Sequence, residues 1–146
     1  MKIAIGSDHA GYDYRRMLIS HLEAAGHEII DCGCEEKVSC DYPVYGRKAA
    51  RLVKSGACER GVVICGTGFG ISLAANRLEG IRCVNCTDVL TVRMARLHNN
   101  ANMIALGARV IGEDTAKLLV DTFLETPHEG GRHGIRVALI DSLPKE

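Results

Sequence analysis

The run GVVICGTGFGISLAAN, residues 61–76, decides the fold. Gly61 to Cys65 is a short apolar stretch of the kind that forms a buried strand. Cys65 to Ser72, CGTGFGIS, is a loop with Gly66, Gly68 and Gly70 at alternate positions, and Gly70 to Leu78 reads as a short helix. Strand, tight turn and helix in that order make half of a βαβ unit, and such units build parallel sheets.

The same alternation extends in both directions. Upstream, KIAIG (2–6) precedes a helix in which Met17, Leu18, His21, Leu22 and Ala25 recur at helical spacing and Gly26 ends the element. EIIDC (28–32) follows, then a helix that Asp41 is expected to cap with Pro43 in its first turn, carrying Ala49, Ala50, Leu52 and Val53 inward. Downstream come IRCVNC (81–86), a helix that Thr87 is expected to cap and that runs to about Leu97, NMIAL (102–106), a helix from Glu113 to Leu124, and a last helix from about 131. Residues 1–146 are therefore expected to form a single domain: an α/β/α sandwich with a five-stranded parallel sheet, Rossmann/flavodoxin-like, and helices on both faces. A strand order of 2-1-3-4-5 brings the first and third strands together at the switch point, where open α/β sheets bind ligands.

Composition narrows the function. Apolar residues make up 47% and charged residues 25%, ordinary for a folded domain. Lys and Arg balance Asp and Glu at 18 each, which leaves no broad positive field for nucleic acid or anionic lipid. The first residues, MKIAIGSDHAG, hold too short an apolar run for a signal sequence or a membrane span, so a cytoplasmic protein is expected. Seven cysteines without an export signal are expected to be reduced. Cys83 and Cys86 have the spacing of a zinc pair, but no second pair completes four ligands, and no metal is expected. Cys32 and Cys34 read as small packed thiols.

Two loops follow carboxyl ends of strands. GSDHAG (6–11) lacks the lysine and Ser/Thr of a nucleotide P-loop. In CGTGFGIS the third glycine of a dinucleotide fingerprint would fall at 71, which is Ile71, so hydride chemistry fits poorly. Its glycines instead suit backbone N–H groups converging on an anion at a helix start, although a tight turn alone also uses small residues. With the first and third strands adjacent, Asp8, His9, Cys65 and Thr67 meet in one crevice.

A thiol at such a helix mouth has its thiolate favoured and can act as a base, although a cysteine ending a buried strand is also ordinary packing. His98 ends a helix, a place where cationic residues are favoured anyway. Arg132 and Arg136 are four apart on one helical face, where two guanidinium forks suit a phosphate or simply a solvated surface.

The motifs SDHAG, CDYP, CGTGFGISLAAN, ARLHNNAN, GARVIG and EGGRHGIR, in this order across the whole chain, resemble the type B ribose-5-phosphate isomerases. Enzymes acting on allose 6-phosphate and galactose 6-phosphate share much of the pattern. The resemblance implies Cys65 as base, Asp8 and His9 as substrate-binding, Gly66, Thr67, Gly68, Phe69 and Gly70 as the cradle, and His98 as the ring-opening group. It further implies that Tyr42, Asn99, Arg109, Arg132 and Arg136 complete the site. Some members use a carboxylate in place of the cysteine, but Cys65 stands where the cysteine-dependent members have theirs. Phe69 is bulkier than is common at its position, and Arg77 replaces a frequent lysine.

Aldose–ketose exchange moves a proton between C1 and C2 through an enediolate, which needs a base and fixed oxyanion donors but no cofactor or metal. On this reading Cys65 takes the proton, Thr67 and the loop hold the charge, Asp8 orients a histidine, and the arginines grip a sugar phosphate. A non-catalytic phosphate-binding module on the same fold is the alternative from another class. Topology adds one expectation: His98 closes a helix and precedes the strand near Asn102, which puts it at the opposite sheet edge from Cys65, on the order of 15 Å away. A homodimer or tetramer with composite sites would unite them, with the helix from about 131 serving the site or the interface.

Overall fold

The structure, a computed structural model, describes residues 1–142. In chain order its elements are β1 (Lys2–Ser7), α1 (Tyr12–Ala24), β2 (Glu28–Asp31), α2 (Tyr42–Lys54), β3 (Arg60–Cys65), α3 (Phe69–Ala75), β4 (Cys83–Asn85), α4 (Val89–Asn99), β5 (Met103–Gly107), α5 (Glu113–Glu125) and α6 (Gly131–Asp141). All strand pairs are parallel. The five-stranded α/β/α sandwich is thus as the sequence pattern implies. Among the described residues no helix is long and apolar enough to cross a membrane.

Strand alternation sorts large and small side chains onto opposite faces. Ile3, Ile5, Val62, Ile64, Ile104 and Leu106 point into one core with Leu18, Leu22, Val92, Leu119 and Phe123, beneath α1, α4 and α5. Ala4, Val63, Cys65 and Ala105 face the other way, with Ala49 and Ala50 of α2 and Ile71 and Ala75 of α3. The small residues let α2 and α3 come close to the sheet, and Cys65 lies on that side.

The strand order is β2-β1-β3-β5-β4, not the expected 2-1-3-4-5. Adjacency of β1 and β3 holds, but the last two strands exchange places. The reason lies in their composition. Every residue of β5 is buried, so it takes the interior position beside β3, whereas β4 is three residues long, only Cys83 of it is buried, and it sits at the edge.

Smaller differences concern helix ends. Asp88, not Thr87, caps α4, its carboxylate accepting the Thr91 N–H at 2.9 Å. Helix α3 begins one residue before Gly70 and stops at Ala75. Asp41 occupies the N-cap of α2 without a side-chain capping bond. All seven cysteines are free.

Candidate active site

Cys65 ends β3, and register pairs it with Gly107 at the end of β5. The two strand ends are laced together: Cys65 and Gly66 carbonyls accept the N–H groups of Ala108 and Arg109 at 2.9 and 3.0 Å. The buried Cys65 Sγ accepts the Gly68 N–H at 3.2 Å. The Phe69 N–H goes to Thr67 Oγ1 at 3.3 Å, and the Asn85 side-chain amide donates to the Thr67 carbonyl at 3.1 Å.

Each glycine of this loop answers to a specific neighbour. Gly68 has φ +82°, a left-handed conformation, and a Cβ there would fall 2.2 Å from Asn85 Nδ2. At Gly70 a Cβ would fall 2.5 Å from the Tyr42 ring, which is therefore seated on the start of α3. Gly66 lies under the Arg109 guanidinium, with room for a Cβ only at 3.4 Å from it. These contacts bring Tyr42, Cys65, Gly66, Thr67, Gly68, Phe69, Gly70 and Arg109 together at the carboxyl edge of the sheet. Phe69 itself is exposed.

The first loop stands beside them through the β1–β3 pairing. Asp8 is buried, and its Oδ1 accepts the N–H groups of Ala10 and Gly11 at 3.0 and 3.1 Å, which shapes the entry to α1. His9 Nδ1 accepts the Cys40 N–H at 3.2 Å, a backbone contact that orients this ring. His9 and Arg109 line one cavity of about 440 Å³ together with Asp13, Lys37 and Glu113.

His98, Asn99, Arg132 and Arg136 are elsewhere. His98 lies in the last turn of α4, ahead of Met103, and Met103 is four residues before Gly107 along β5. At about 3.3 Å per residue, some 13 Å of strand separates that edge from the Cys65 edge. The His98 ring stacks on His133 with centroids 4.0 Å apart and planes 6° from parallel. Glu129 Oε2 lies 3.7 Å from His98 Nε2 and 3.6 Å from His133 Nε2. Among the described residues these three are the group of metal-ligand types that comes together. Burial, the neighbouring His98 and the cations Arg132 and Arg136 push the His133 imidazole below its ordinary value of 6.5, against the pull of Glu129. Arg132 and Arg136 are exposed along α6.

Several supporting residues escaped sequence reading. Arg15 is buried and donates to Ser7 Oγ at 2.8 Å and to the Cys34 carbonyl at 2.6 Å, joining the first loop to the segment after β2. Gly33 is glycine because a Cβ would fall 1.8 Å from the Arg15 guanidinium. Asn85, Glu129 and His133 were likewise not singled out; an asparagine closing an apolar strand was the one local signal, for Asn85.

Comparison with known proteins identifies the family. The Ribose/Galactose Isomerase family profile matches residues 3–140. Ribose-5-phosphate isomerase B of Escherichia coli K12 is 42% identical over 142 residues, covering 97% of this chain and 95% of that protein. The structure of Clostridium thermocellum ribose-5-phosphate isomerase B superposes with a TM-score of 0.95 at 52% identity, covering 97% of this chain and 95% of that one. The Mycoplasma genitalium enzyme, solved with bound ribulose-5-phosphate, gives a TM-score of 0.93 at 33% identity over 96% of this chain and 93% of that one. With a family match across nearly its whole length and relatives of this similarity, the chain is an isomerase belonging to the ribose/galactose isomerase family.

Proposed function

We propose that this enzyme interconverts ribose 5-phosphate and ribulose 5-phosphate through an enediolate, with Cys65 as the base. The observation that carries the reading is the Cys65 sulfur at a strand end, met by the Gly68 N–H inside a loop whose shape Asn85, Tyr42 and Arg109 enforce. A backbone donor to sulfur stabilises a thiolate, and the same loop is suited to hold the oxyanion that develops at O1 or O2. The thiolate removes the C2 proton of the aldose, the electron pair enters the C1–C2 bond, and the proton returns to C1 of the enediolate. Substrate identity is supported by the named relatives, one of which holds ribulose-5-phosphate.

Each site is composite in this proposal. Asp8, His9, Tyr42, Cys65 to Gly70 and Arg109 come from one protomer of a homodimer. The partner supplies a second copy of the opposite sheet edge, with the ring-opening histidine, the asparagine after it and the two arginines that bind phosphate. The exposed apolar side chains Phe69 and Leu73 on α3, and Ile135 and Leu139 on α6, give the helical faces something to bury.

The experiment is Cys65→Ala, assayed for solvent-deuterium incorporation and for ligand affinity together, with allose 6-phosphate and galactose 6-phosphate as parallel substrates. Loss of a general base costs about 10² to 10⁴ in rate. Exchange falls by that factor while ribulose 5-phosphate still binds; wild-type exchange in the variant refutes the assignment.

A further inference from the structure

The junction between α4 and α6 carries polar groups that neither the fold nor the chemistry at Cys65 requires. The Leu97 carbonyl, in the last turn of α4, accepts the Glu129 N–H at 3.0 Å and contacts His128 Nδ1 at 2.9 Å. Two glycines then turn the chain, Gly130 at φ +72° and Gly131 at φ +54°, conformations that side-chain-bearing residues resist. The turn leads directly into α6, and Glu129 comes to lie beside His133, four residues on. Its carboxylate is thereby placed within 3.7 Å of two imidazole nitrogens that belong to different helices.

His133 has an unusual setting. It is 7% exposed, and among the described residues its Nε2 has no hydrogen-bond partner. An unpaired buried nitrogen costs free energy unless something draws on it. The rings of His98 and His133 are 6° from parallel, so their in-plane lone pairs run side by side and do not meet at a single ion. That suits one acceptor shared by two N–H groups better than it suits a metal, whose ligands must converge. The separations of 3.6 and 3.7 Å lie just beyond hydrogen-bond range, and Glu129 is more than half exposed, so a rotation of its carboxylate closes either gap.

We propose that Glu129 is a positioning residue of the reaction: its carboxylate, anchored by the α4–α6 junction, fixes the His98 imidazole against the flat face of His133 for ring opening. This rests on the reading of His98 as the ring-opening group. In that step the C1–O4 bond of the furanose breaks, its electron pair goes to O4, and O4 takes a proton from the imidazolium. The anomeric hydroxyl releases its proton to water as the C1 carbonyl forms. A half-buried histidine held only by its own rotamer would present that proton in many directions; a carboxylate on one nitrogen and a ring at its back leave few. The groups facing the pair are Glu129, Arg132 and Arg136, with His128 behind the same carbonyl.

The test separates ring opening from proton abstraction. Ribose 5-phosphate is offered as the furanose, whereas ribulose 5-phosphate is open-chain, and its C1 proton exchanges with deuterium through Cys65 alone. Glu129→Gln is expected to lower kcat from ribose 5-phosphate about 10- to 100-fold, the scale on which carboxylates that orient metal-bound histidines act. Exchange into ribulose 5-phosphate stays near wild type, KM changes little, and Glu129→Asp recovers part of the loss. His98→Ala is run alongside and shows the same split. If His98→Ala splits the two activities and Glu129→Gln does not, or if Glu129→Gln lowers both equally, Glu129 is not a positioning residue. If His98→Ala itself shows no split, the ring-opening role of His98 falls, and the proposal built on it falls for that separate reason.

Discussion

The Gly68 N–H donates to Cys65 Sγ at 3.2 Å from a residue whose φ is +82°. Thiol geometry and backbone handedness are therefore one property of this loop. An L-residue in the left-handed region costs roughly 1 to 2 kcal/mol, and here a Cβ would also meet Asn85 Nδ2 and the Leu106 carbonyl. Gly68→Ala is expected to lower turnover at least tenfold while the protein stays folded, with a lower denaturation midpoint. Turnover and urea unfolding measured together check this; an unchanged kcat would show that the sulfur does not depend on the loop.

Asn85 offers a milder version of the same test. Its amide reaches the Thr67 carbonyl across 18 positions of sequence, and Asn85→Ala removes that single bond. A stability loss of about 1 kcal/mol is expected, with kcat falling and KM for the sugar phosphate nearly constant. A KM effect without a kcat effect would place Asn85 in binding rather than in loop geometry.

Arg132 and Arg136 are expected to act on phosphate alone. Each replacement by Ala weakens binding of ribose 5-phosphate roughly tenfold or more, the scale of a charge-assisted contact. Unphosphorylated ribose is unaffected. Equal affinities for the parent and both variants would make α6 a solvated basic face.

Composite sites predict complementation. Cys65→Ala and His98→Ala proteins are each inactive or strongly impaired, yet a mixed dimer contains one doubly damaged site and one intact site. Activity returns when subunits exchange. If mass measurement shows mixed dimers and no activity returns, His98 serves its own chain.

Burial pushes the thiols of Cys32 and Cys83 up to about 12 from 9.0, with Lys48 partly opposing the shift at Cys32. The folded state therefore keeps protons that the unfolded chain releases, so stability is fully present below about pH 9 and declines as pH rises from there toward 12. Urea midpoints at pH 8 and pH 10 should differ in that direction, and Cys83→Ala should reduce the difference. A midpoint that rises with pH would contradict the burial of these thiols.

The fold was legible because strand and helix signals alternate cleanly, and because Gly26 and Pro43 mark real boundaries. Strand order was not, since successive strands commonly lie side by side, and the sharper fact is that NMIAL is apolar throughout after Asn102 while IRCVNC carries Arg82 and Asn85. In the site, Cys65, Thr67 and the three glycines stood out as types. The reasons for those glycines did not, because Tyr42, Asn85 and Arg109 lie far from them along the chain. Glu129 and His133 sat within a quoted motif, but only the packing of α6 on α4 reveals that they face His98.

The two outermost strands limit how copies of this chain could meet. One has four residues and begins and ends on exposed acids, Glu28 and Asp31; the other has three, and its terminal Asn85 is turned inward to Thr67. Neither presents a backbone ladder long enough to recruit another strand. Any contact between copies would be left to helical surfaces, where it is made side chain to side chain and closes only when it is two-fold symmetric. Open-ended growth along the sheet, the route to fibres, is thereby disfavoured at both ends.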